Sequence, residues 1–75
     1  MKEQIISFKT VEEIKEFVGA ACNCPFDIDV VSGRITIDAK SILGVLGLDL
    51  GRVLTVTCHG ESQKFDNFLQ QYAVA

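Results

Sequence analysis

Two hydrophobic periods alternate along this chain. Gln4-Ile5-Ile6-Ser7-Phe8 sets Ile6 and Phe8 on one face of an extended segment, which predicts a first strand over 4–8. From Val11 the spacing lengthens. Val11, Ile14, Phe17, Val18 and Ala21 share one side of a helix, with Glu12, Glu13, Lys15 and Glu16 elsewhere. Thr10 and Glu13 have the spacing of a capping box, in which the hydroxyl accepts from the backbone three residues on and the carboxylate reaches back. The acidic first turn suits the positive end of the helix dipole. Asn23 and Pro25 end the helix. Phe26-Asp27-Ile28-Asp29-Val30 then alternates strictly, with both aspartates on the wet side. Ser32-Gly33 supplies a tight turn, and Arg34 to Asp38 returns with Ile35 and Ile37 expected inward. A short helix is expected from about Ser41. Val53 to Cys58 is a further strand, with Leu54, Val56 and Cys58 on one face. His59-Gly60-Glu61 turns the chain, and Ser62 caps a last helix whose stripe is Phe65, Phe68, Leu69 and Tyr72.

The order is β-α-β-β-α-β-α. One-faced strands and one-striped helices are satisfied by a single sheet with its helices on one side, an α+β arrangement. The first β-α-β unit must cross over right-handedly. If the last strand fills the gap between the first and second, the sheet is antiparallel with order 1-4-2-3.

Composition narrows the function more than the fold. Residues 1–75 are enough for a single domain, with roughly 60% of the unfolded surface buried at this size. Lysine and arginine number 7 against 10 acidic residues, giving a net charge of −3 with no basic run, so no nucleic-acid partner is expected. No apolar run approaches the ~18 residues of a membrane span, and Met1 to Gln4 leads straight into a strand pattern rather than a signal peptide. No membrane association and a cytoplasmic location are therefore expected. Three cysteines, Cys22, Cys24 and Cys58, suit a reducing compartment better than a disulfide scaffold.

The segment Lys40-Ser41-Ile42-Leu43-Gly44-Val45, following the hairpin Asp27 to Asp38 within this element order, resembles the serine segment of HPr. HPr is the histidine-containing phosphocarrier family of the sugar phosphotransferase system. The resemblance covers Phe26 to Tyr72 well and the first twenty-five residues by element order. It implies the HPr-like open-faced β-sandwich, with three helices on one face of the 1-4-2-3 sheet. In that family the loop between the first strand and first helix carries a Gly-x-His-x-Arg-Pro pattern, whose histidine takes a phosphoryl group from enzyme I. Here only Lys9 stands between Phe8 and Thr10, and the sole histidine is His59. The chain is thus expected to keep the fold as a non-catalytic regulatory or interaction module, not an enzyme and not a histidine phosphocarrier.

In Gram-positive HPr proteins the serine of this segment is phosphorylated by a dedicated kinase in carbon catabolite control. Ser41 matches it and is a candidate regulatory phosphosite, with Lys40 adding charge; its plain alternative is an ordinary N-cap. The resemblance also implies a partner surface on Ser41 to Leu48. Of Ile42, Leu43, Val45, Leu46, Leu48 and Leu50, one short helix cannot turn all inward, so some are expected to be exposed as a patch, and the resemblance implies that the partner surface runs through Ile42, Leu43 and Leu46. The patch suits a phosphotransferase-system or regulatory protein, or a homodimer.

Two further constellations stand out. Cys22, Cys24, Cys58 and His59 form a set for thiol or zinc chemistry, although Cys-x-Cys with an adjacent Cys-His is not a usual ligand spacing. Asp27, Asp29 and the helix glutamates lie on solvated faces, which suits a polar surface better than acid–base catalysis. No phosphate loop, Ser-His-Asp set or dinucleotide fingerprint occurs, so no cofactor and no metal are expected.

Overall fold

The computed structural model describes Lys2 to Val74; Met1 and Ala75, the outermost residues of the expected domain, lie outside the described residues. Strand β1 (Lys2–Ile6) is followed by helix α1 (Val11–Cys22), β2 (Ile28–Ser32), β3 (Ile35–Asp38), α2 (Ile42–Leu46), β4 (Leu54–Cys58) and α3 (Gln63–Leu69), which runs on into a 3₁₀ turn, Gln70–Tyr72. The sheet is antiparallel throughout, in the order β1-β4-β2-β3. The expected topology is therefore the observed one.

The local chemistry explains each element's limits. Thr10, Ser41 and Ser62 each adopt extended backbone, and each accepts from the N–H three residues on, at 3.2, 3.3 and 3.1 Å. All three helices thus start where their hydroxyls placed them. The β2–β3 hairpin turns one residue later than expected, on Gly33-Arg34, and Gly33 takes φ +60 there. That value is open to glycine and costly for a side chain, and its place at the first central position matches a type II′ turn.

The core lies between the sheet and the helices. Ile6, Ile28, Val30, Leu54 and Val56 from the strands meet Ile14, Phe17, Val18 and Ala21 of α1 and Phe65 and Leu69 of α3. Phe8 lies 5.2 Å from Phe17 and 5.3 Å from Tyr72, ring centre to ring centre, so an aromatic row runs from the β1–α1 loop to the 3₁₀ turn. Each fully buried Leu, Ile, Val or Phe contributes about 1.5–3 kcal/mol.

Four expectations are corrected. β1 spans Lys2–Ile6 rather than 4–8, and β2 begins at Ile28 rather than Phe26. Phe26 instead covers Gly60, so closely that a Cβ there would strike the ring. Ile35 was expected inward and is 57% exposed. It shares a strand face with the half-buried Ile37, but it sits at the hairpin end of an edge strand with nothing beyond it. Val11, placed on the buried stripe of α1, is likewise exposed at the helix's first position.

Candidate functional site

Helix α2 is five residues long and is held between α1 and β3. Val45 is fully buried and Leu48 packs half-buried against the core. Gly44 makes the approach to the sheet possible: a Cβ on it would lie 2.7 Å from Ile37 Cγ2. The remaining apolar residues face solvent, with Leu43 83% exposed, Ile42 37% and Leu46 36%. Leu50 and Val53 follow, also exposed, on a loop that Gly51 ties to the β1–α1 loop through its N–H to Phe8 O at 2.8 Å. Apolar surface is thus grouped along α2 and the loop after it, as the count of apolar residues required.

Ser41 is exposed, with its oxygen engaged as the cap of α2. Lys40 does not serve it as expected. Its ammonium donates to Cys24 O at 2.9 Å, just past the C-terminal end of α1, where a cation meets the negative end of the dipole. Its backbone N–H is taken by Asp38 Oδ1 at 2.9 Å. The role of Lys40 depends on where α1 crosses the hairpin, which no local pattern reveals.

At the other end of the molecule, α1 begins with its own carboxylates around it. Glu13 Oε1 accepts from Lys9 N–H at 2.7 Å, one residue earlier than the capping box places it, while Glu13 N–H donates to Thr10 Oγ1. Glu12 adds a second acid in the first turn. A helix N-terminus ordinarily attracts phosphate through free N–H groups and its dipole. Here the Glu13 carboxylate stands beside that terminus, on the N–H one residue before the cap.

The thiols and the histidine do not converge. Cys22 is exposed, with Sγ 3.8 Å from Lys40 O; Cys24 and Cys58 are buried. Burial pushes both buried thiols up from their ordinary range, with Lys40 pulling slightly the other way at Cys24. Thiols so placed are poor nucleophiles. His59 Nε2 sits 2.9 Å from Asp29 Oδ2 on the outer side of the sheet. Among the described residues no three His, Cys, Asp or Glu side chains are arranged to hold a metal. The register also separates His59 from the β1–α1 loop. His59 follows Cys58, which opposes Lys2, whereas the loop leaves from Ile6, opposite Leu54. Four strand residues, about 13 Å, lie between.

No family model and no curated protein matches the sequence. Solved structures do match the fold. HPr-C-His from Thermoanaerobacter tengcongensis has a TM-score of 0.78 at 25% identity, covering 95% of this chain and 89% of that one. The phosphocarrier protein HPr from Bacillus anthracis gives 0.75 at 21% identity, covering 97% and 96%. Crh of Bacillus subtilis, described as a domain-swapped, intertwined dimer, gives 0.64 at 19%, covering 93% and 88%. The chain has the HPr-like fold, with the four-stranded 1-4-2-3 sheet and three helices. No helix is long and apolar enough to cross a membrane, among the described residues.

Proposed function

We propose that this chain uses the HPr-like fold for docking and regulation, without carrying a phosphoryl group on histidine. The observation that carries the reading is the start of α1. Glu13 occupies the N–H of Lys9 at 2.7 Å, Glu12 stands beside it, and the only histidine lies at the far end of the sheet. A phosphoryl group arriving there would meet negative charge and no imidazole. Docking falls to the exposed side of α2, through Ile42, Leu43 and Leu46, with a phosphotransferase-system or regulatory protein as the partner. Incubation with enzyme I and phosphoenolpyruvate leaves this protein unmodified while a control HPr is phosphorylated. Acid-labile phosphate on His59 overturns the reading.

Within the same reading Ser41 is the phosphosite. It is exposed, and it precedes the docking residues directly, so a phosphate there places charge beside Ile42. Treatment with an HPr kinase and ATP, followed by mass spectrometry of the peptide containing Ser41, tests this; an unmodified peptide removes it.

A further inference from the structure

The two edges of the sheet are treated differently. The outer edge of β1 is covered at its C-terminal end. Ile6 bridges to Ala73, Ser7 N–H donates to Tyr72 O at 3.0 Å, and Val74 N–H donates to Ile5 O at 3.0 Å. Tyr72 anchors this cover in the aromatic row. The outer edge of β3 has nothing on it among the described residues. Its central Ile35-Thr36-Ile37 has high β-propensity and carries no proline, lysine or bulge.

The backbone groups on that edge can be assigned. Ala39 N–H donates inward to Ile28 O at 2.9 Å, and Asp38 O turns away from β2 to accept from Ser41 N–H. By strand alternation Ile35 and Ile37 pair with β2, and Thr36 directs its N–H and C=O outward. The side chains divide the same way. Ile35 and Ile37 lie on the helix side, Thr36 and Asp38 on the open side. Arg34, at the turn, makes no ion pair among the described residues. Asp38 directly opposes Asp29, a like-charge pair with no lysine or arginine ion pair among the described residues.

We propose that the β3 edge is an interface for a second copy of this chain. The two strands run antiparallel about a two-fold axis through Thr36. Each Thr36 exchanges both backbone hydrogen bonds with its counterpart, Ile35 packs on Ile37 of the second copy, and Arg34 faces Asp38 of the second copy. The edge is self-complementary in every layer at this register and at no neighbouring one. Shifting by one residue puts apolar side chains opposite polar faces. The paired strand also covers the exposed Ile35 and brings Arg34 of the second copy beside Asp38 of the like-charge Asp38–Asp29 pair. An eight-stranded sheet results, with both helical layers on the same side. The arrangement exchanges no strand, and its hydrogen bonds come from the β3 edge rather than from α2.

Sedimentation velocity on the whole chain, from about 10 µM to about 1 mM, tests it. The unaltered protein passes from monomer to dimer across that range. R34D and D38R each weaken association about tenfold, because each sets like charges opposite one another at both ends of the interface. Their equimolar mixture regains the unaltered level as a heterodimer, since its charges are again opposed in sign. Thr36→Pro removes an outward N–H that β2 does not use and abolishes pairing, with circular dichroism confirming that each variant is folded. A monomer at every concentration, a dimer indifferent to R34D and D38R, or a mixture that does not recover overturns the proposal.

Discussion

Replacing Gly44 with alanine probes the packing on which the position of α2 depends. In a free helix the change stabilises by about 1 kcal/mol, because glycine loses more backbone freedom on folding. Here the new methyl would lie 2.7 Å from Ile37 Cγ2, against about 3.5–4.0 Å for a favourable carbon contact. The clashing atom is the branch methyl on a β-carbon. It cannot swing aside without leaving the stiff χ1 well of isoleucine. Overpacking of this kind costs about 1–3 kcal/mol. The net expectation is destabilisation by about 1–2 kcal/mol, or a fall in Tm of several degrees in a domain this small. The decisive readout is a double-mutant cycle by urea denaturation at low protein concentration. Gly44→Ala lowers stability in the unaltered protein, yet is neutral or stabilising when Ile37→Ala has removed the opposing methyl. A stabilised single variant, or additive effects in the cycle, would refute the packing argument.

Other outcomes follow from the same structure. Ser41→Ala costs about 1 kcal/mol through loss of the α2 cap, whereas Ser41→Asp, which can also cap, costs little; both are read by chemical denaturation. In native protein a thiol reagent modifies Cys22 rapidly, and Cys24 and Cys58 only as fast as the fold opens. Stability falls on the alkaline side. Burial raises Cys24 and Cys58 above their ordinary 9.0 and Tyr72 above 10.0, while the hydrogen bond to Asp66 raises Lys2 above 10.5. A raised folded-state value means that the contribution is complete below the unfolded value and is lost as pH climbs through the folded one. Thermal melts should therefore show a declining Tm above about pH 9, and a flat profile to pH 11 would contradict the assignments.

The fold was legible in the sequence because its signals were local and mutually consistent. Three hydroxyl caps, two helical stripes and four one-faced strand runs set the element order, and the resemblance to HPr pointed to the sheet order. What escaped was set by neighbours in space. The polar Lys2 and Glu3 belong to β1 because they pair with Cys58 and Thr57 of β4, which alternation of hydrophobicity does not announce. Ile35 reads as a core residue on its own strand, and only the bare edge of the sheet exposes it. In the site, Ser41 as a cap could be read from spacing, and so could the excess of apolar residues on so short a helix, whereas the choice of Ile42, Leu43 and Leu46 came from the resemblance to HPr. The commitment of Lys40 to Cys24 O, and the capture of Lys9 N–H by Glu13, depend on how elements meet in three dimensions.

The central claim is that this HPr-like protein docks through α2 and does not transfer phosphate through histidine. The most direct test is a titration of the ¹⁵N-labelled protein with enzyme I and with an HPr kinase, followed by amide chemical shifts. Shifts concentrated on Ile42, Leu43 and Leu46, lost in Leu43→Glu while the core signals stay in place, are the predicted result. Binding to neither protein, or shifts that centre on His59 and leave α2 untouched, would contradict it.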